Sequence, residues 1–297
     1  MPYSTDPKDA EVRNKGTLDR TLAVSASLVV NFHSSRPPTQ AQVQFLADAL
    51  RMAKRALLAA RAVVRDMRVA ILSSSYSRAS ITESNGELKS AIYDTFTYHM
   101  HFPPLADRKD WSAWQSDLAT ISDFFAADCQ YLFGRPVVGD TYRLVLKPQY
   151  AVVTDKQLQA SITGDGTASE GFVNLKKSAW KTIDQNPALF DEWIGGRFKF
   201  QPNEWGNIKV NFALLSAVPR LQIAGTLIHE STHKMKNAVD HCYASSSGMY
   251  KTLTKAQAMD NADSYAFVAI SLYKMTYIKN DKKLKELGLS NTIDAES

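Results

Sequence analysis

The residues of this chain best suited to chemistry are His229, Glu230 and His233, which form His-Glu-Ser-Thr-His at the end of the apolar run Ile223-Ala224-Gly225-Thr226-Leu227-Ile228. On a helix, positions four apart share a face. The two imidazoles can then reach one cation, with Glu230 beside it. Zinc accepts such nitrogens at about 2.0–2.1 Å, and a catalytic site needs a third protein ligand and an open position. The Glu230 carboxylate would take a proton from water as that water attacks a carbonyl. That is the chemistry of peptide-bond hydrolysis, with one zinc ion per chain and a protein or peptide as substrate. Gly225 is the only helix-weakening residue of the run, so the context favours a buried metal helix over a chance match in a polar stretch.

The third ligand must come from elsewhere. No glutamate of the thermolysin kind follows at helical spacing, and no Gly-x-x-His extension of the metzincin kind follows either. Asp240, seven residues beyond His233, and its neighbour His241 are the nearest donors. To present either, the chain must turn back at the helix end. Lys236-Asn237-Ala238 is the place for that turn, since asparagine tolerates left-handed backbone.

Together with a later segment, Asn261-Ala262-Asp263-Ser264-Tyr265, these residues resemble the deuterolysin-type metalloendopeptidases, or aspzincins, a family that includes the peptidyl-Lys metalloendopeptidases. That family pairs His-Glu-x-x-His with an aspartate in a Gly-Thr-x-Asp-x-x-Tyr-Gly-like segment and then a helix beginning Asn-Ala-Asp. The matching positions are His229, Glu230, His233, Asp240, Tyr243 and Asn261 to Tyr265, and the match is strict over roughly 223–272. The resemblance implies zinc ligation by His229, His233 and Asp240, with Glu230 as general base. It implies that the Tyr243 hydroxyl stabilises the oxyanion, a contribution of about 3–4 kcal/mol when well aimed. It also implies that Asp263 lines the pocket for a Lys or Arg after the scissile bond. The chain departs from the family where Ala238-Val239 and Ala244 replace the glycines flanking the aspartate and tyrosine. Ala266 stands where lysine-specific members carry a second acid.

Several elements must position these groups. Residues 21–32 are β-branched and partly alternating, as in a strand, and Ser34-Ser35-Arg36-Pro37-Pro38 ends the pattern. Thr39 and Gln42 form a capping box. It opens a long helix whose stripe is Val43, Leu46, Leu50, Ala53, Leu57, Ala60, Val64, Met67 and Ile71. The arginines and lysines off that stripe form a solvated face. Residues 73–104 read as loops and short strands, with His99 and His101 on one side of a strand over 91–102, in structural or surface roles. A second amphipathic helix over about 107–132 buries Trp111, Trp114, Leu118, Ile121 and Phe125. A strand follows over 142–146, then a turn over 164–167 that lacks the Gly-Lys-Ser/Thr of a phosphate loop, then an irregular aromatic-rich connection over 190–206. A strand over 207–215 precedes the metal helix and is expected to offer an edge to an extended substrate. The last helix runs over about 255–278, followed by a lysine-rich solvated tail.

The expected fold is α+β and mainly α: a zincin-like metallopeptidase domain over 36–280 with a small twisted sheet and the His-Glu-x-x-His helix. Residues 1–35 form an N-terminal segment that could serve as a pro-segment, and 281–297 the tail. The 297 residues are 44% hydrophobic and 22% charged, ordinary for a globular protein, and the net charge of +5 is too diffuse to point to nucleic acid. No apolar stretch is long enough to span a membrane. Cys129 and Cys242 do not make a disulfide framework or a zinc ribbon. Met1-Pro2-Tyr3-Ser4-Thr5-Asp6 lacks a secretory n- and h-region. The expectation is export without a cleavable leader, as the resemblance suggests, or a cytoplasmic protein if it is not exported. Two rival readings accompany the endopeptidase: an effector peptidase with one narrow protein target, and a non-catalytic zinc-stabilised binding protein.

Overall fold

The capping box at Thr39 forms as the spacing predicts. Its backbone N–H donates to Gln42 Oε1 at 2.9 Å, and the Gln42 N–H donates back to Thr39 Oγ1 at 3.2 Å. The computed structural model describes residues 20–25, 28–32, 38–73, 86–103, 108–132, 149–153, 171–173, 175–194, 196–205, 208–211 and 218–278. Over these the chain is mainly helical. The strand expected over 142–146, the turn over 164–167 and the tail over 281–297 lie outside the described residues. Helix α1 (Gln40–Ser73) follows the cap, and every stripe residue from Leu46 to Ile71 is buried. No helix among the described residues is long and apolar enough to cross a membrane.

The chain divides into two compact units. The first comprises residues 1–52 and 130–240, the second residues 53–129 and 241–297. The first unit holds the sheet. Strands β1 (Arg20–Ser25) and β2 (Leu28–Phe32) pair antiparallel, so the single strand expected over 21–32 is in fact two. Next come β3 (Gln149–Val153), parallel to β2, and β4 (Gly171–Phe172). Helices α4 (Lys177–Gln185) and α5 (Ala188–Ile194) follow, and the end of α5 takes up only the first residues of the stretch over 190–206 expected to be irregular. A 3-10 turn (Pro202–Glu204) leads to β5 (Ile208–Asn211).

Among the described residues the sheet order is β1-β2-β3-β5-β4. Strand β5 pairs parallel with β3 from Tyr150↔Ile208 to Val153↔Asn211. On its other side it pairs antiparallel with β4 through Gly171↔Val210 and Phe172↔Lys209. The expected edge role of 207–215 is therefore corrected: both sides of β5 are occupied, and β4 is the edge beside it. Helix α6 (Arg220–Lys236) packs against β4 and β5. Its first residue is anchored by the Arg220 guanidinium, 4.9 Å from the Phe45 ring centroid and 3.6 Å from Asp48.

The second unit is helical. The expected strand over 91–102 is instead part of α2 (Gly86–His99). Its β-branched and aromatic residues suggest a strand, but Tyr93, Phe96 and Met100 are buried at helical spacing. Thr95 and Thr97 donate to the carbonyls of Ala91 and Tyr93, which suits a helix. Helix α3 (Arg108–Leu132) buries the predicted face from Trp111 to Phe125. Trp114 stacks on Tyr93 at 5.1 Å and meets Phe102 edge-on at 4.7 Å. The expected last helix is three pieces: α7 (Ser247–Tyr250) precedes it, then come α8 (Lys255–Ala258), α9 (Ala262–Tyr273) and a π turn (Lys274–Ile278). Lys255 Nζ reaches Asp117 Oδ2 at 2.6 Å, joining α8 to α3. Cys129 and Cys242 are both free and buried, and burial with the neighbouring Asp128 carboxylate pushes the Cys129 thiol up to about 12.

Candidate metal centre

Helix α6 carries His229, Glu230 and His233 in its buried last two turns. It ends at Asn237, whose backbone is left-handed (φ 59°, ψ 30°), as the predicted turn requires. The Asn237 side chain adds a second fastening, since its Oδ1 accepts the Phe200 N–H at 3.1 Å. Three residues beyond the turn, Asp240 comes back over the helix end.

The result is a compact triangle of donors. His229 Nε2 and His233 Nε2 are 3.0 Å apart, and Asp240 Oδ1 lies 3.2 Å from the first and 3.3 Å from the second. Two ligands of a tetrahedral ion with bonds of about 2.0–2.1 Å stand roughly 3.3 Å from each other. The three side chains therefore fit one cation, and they are the group among the described residues able to hold a metal ion. The structure thus brings His229, His233 and Asp240 into one His-His-Asp group that could hold a metal ion. His241 is not part of it: its Nε2 faces Asp260 Oδ2 at 3.6 Å.

The electrostatics fit the same use. Burial raises the Asp240 pKa, but His233 and His229 more than reverse this and hold its carboxyl well below the usual range, so Asp240 stands as a carboxylate. Burial lowers His233, and the Asp240 carboxylate overcomes it, leaving the imidazole raised. Burial raises Glu230, as does Asp240. The two histidines and a hydrogen bond from the Val173 backbone oppose the rise without cancelling it. Val173 directly follows edge strand β4, so the sheet edge and the Glu230 carboxyl are joined through one amide.

Two further groups orient His233, and the motif does not reveal them. The Ala238 carbonyl accepts from His233 Nδ1 at 2.8 Å, which assigns Nε2 to the donor triangle. Trp205 stacks on the same imidazole at 6.3 Å with planes 17° apart. Behind Trp205, Trp193 packs edge-on against Trp205, Phe200, Trp180 and Phe190. The aromatic-rich stretch over 190–206 was visible in the sequence, but its target, the second histidine, was not.

Tyr243 and Asp263 belong to the second unit. Tyr243 is 40% exposed, and Asp263, in the first turn of α9, is buried at 8%. Asp263 Oδ2 accepts the Ala244 N–H at 2.7 Å. Helix α9 begins at Asn261-Ala262-Asp263 as expected. Comparisons with protein family models, with curated proteins and with solved structures give no match for this chain.

Proposed function

We propose that this chain is a zinc-dependent endopeptidase of the aspzincin kind, with a zincin-like first unit. The single observation that carries the proposal is the donor triangle of His229, His233 and Asp240, with Glu230 one residue from the first ligand. A metal-binding group alone does not make a peptidase, so the placing of Glu230 is the second support: a buried carboxyl held by the Val173 amide at the end of edge strand β4. A zinc ion held by the triangle supplies a Lewis acid that polarises a carbonyl and lets water act as a nucleophile near neutral pH.

The chain's own groups do the rest. Glu230 takes the proton of the attacking water on a carboxylate oxygen and returns it to the leaving amine. Among the described residues β4 is the edge of the sheet, where an extended substrate can add as another strand. The Ala238 carbonyl and the Trp205 ring keep the His233 imidazole from turning. From the resemblance, Tyr243 donates to the developing oxyanion. The same resemblance attaches a Lys or Arg preference to Asp263.

Incubation of unfolded casein with the purified chain, with product N-termini read by mass spectrometry, tests the proposal. New N-termini that vanish with a chelator and return with zinc are expected, and an excess of Lys or Arg at those termini would bear out the basic preference. A chain that holds one zinc and cleaves neither casein nor a library of folded proteins would instead be the binding protein of the rival reading.

A further inference from the structure

We propose that Asn261 and Asp263 are positioning residues that clamp the backbone on both sides of Tyr243. Asn261 is the N-cap of α9, where an asparagine side chain ordinarily accepts an amide from its own helix. It makes no such bond. Its Oδ1 accepts the Cys242 N–H at 3.1 Å instead. Two residues on, Asp263 Oδ2 accepts the Ala244 N–H at 2.7 Å. Alternate amides of one segment are thus held by alternate side chains of another, as a neighbouring strand would hold them.

The clamp is itself braced. Asn261 Nδ2 donates to Ser264 Oγ at 3.3 Å, the Tyr250 hydroxyl donates to the same oxygen at 3.4 Å, and His99 Nδ1 lies 3.0 Å from that hydroxyl. The Tyr243 carbonyl is engaged as well, accepting the Ser246 N–H at 2.9 Å and the Cys242 thiol at 3.3 Å. Asn261, Ser264 and Tyr250 are fully buried, so their bonds are made away from water. The segment's backbone is fixed from 242 to 244, and Tyr243 between the two pins is 40% exposed. A fold that pins the main chain so closely and exposes one phenol between the pins is built to present that phenol.

This use of Asp263 requires an acceptor in the right place. A pocket for a Lys or Arg side chain would require its negative charge. The clamp is a property of the second unit, and its catalytic consequence rests on the peptidase reading above, in which Tyr243 acts on the oxyanion.

The two uses separate in the full-length chain with Asp263→Ala and Asp263→Asn, because asparagine keeps an acceptor and loses the charge. Amide hydrogen exchange, read by mass spectrometry over 241–247, is expected to be about tenfold or more faster at Ala244 in Asp263→Ala and close to the wild-type rate in Asp263→Asn. With casein, Asp263→Ala is expected to lower kcat by about tenfold with KM within about twofold, and Asp263→Asn to recover at least roughly a third of kcat. Wild-type exchange at Ala244 in Asp263→Ala would overturn the proposal. So would an Asp263→Asn variant in which Ala244 exchanges as fast as in Asp263→Ala. If the wild-type chain cleaves nothing, the peptidase reading fails and the exchange rates alone decide the clamp.

Discussion

A buried carboxylate against two imidazoles is an expensive arrangement for a fold to keep without a purpose. Asp240 illustrates it: burial opposes its charge, and only the facing His233 and His229 hold it ionised. Truncating it should therefore act on metal binding more than on the fold of the helix. Asp240→Ala is expected to weaken zinc binding by at least about a hundredfold, read by competition with a chromophoric chelator, and His229→Ala to do the same. Zinc affinity close to wild type in Asp240→Ala would remove it from the ligand set. Another residue makes a pH prediction away from the centre. Burial, helped by His101 and opposed by Asp263, pushes His99 down to about 4 from its ordinary 6.5. A folded pKa below the unfolded one means that the unfolded chain takes up the proton first. The stability from neutral His99 is then whole above pH 6.5 and is lost as pH falls toward 4. That loss is worth up to roughly 3 kcal/mol. Thermal melts of His99→Gln should show a shallower fall of Tm across this range than the wild type, and an equal fall would sink the assignment.

At the scale of elements, the metal helix was legible and the sheet edge was not. The apolar run, the paired histidines and the turn at Asn237 all depend on local spacing, so the sequence alone placed them. The turn carries its own prediction. Asn237 combines a left-handed backbone with a bond to the Phe200 amide. Asn237→Ala loses both, at about 1–3 kcal/mol, whereas Asn237→Gly keeps the backbone freedom and loses only the bond. The glycine variant should bind zinc more tightly than the alanine variant in the same chelator competition. The misread elements failed for non-local reasons. Helix α2 contains a strand-like mixture of Ile92, Tyr93, Thr95, Phe96 and Thr97, and its packing on Trp114, in the next helix, decides the matter. Strand β5 looked like an edge because its neighbour β4 is only two residues long and carries almost no periodic signal. Trp205 lies in a plainly aromatic stretch, but nothing in its spacing points to His233, 28 residues away.

For the whole molecule, the boundary between the two compact units falls between Asp240 and His241, so one short segment ends the donor triangle in one unit and begins the clamped loop in the other. A cation bound at about a thousand times its Kd stabilises the folded chain by roughly 4 kcal/mol through mass action. A chelator should then lower Tm by on the order of 10 °C. The measurement closest to the central claim compares wild type with Glu230→Gln after both are loaded to one zinc per chain, following the rate at which casein is cleaved. Because Glu230 is not a ligand in the donor triangle, zinc content should be equal, and hydrolysis by the variant should fall by several orders of magnitude. A Glu230→Gln chain that keeps its zinc and cleaves at the wild-type rate would contradict the account.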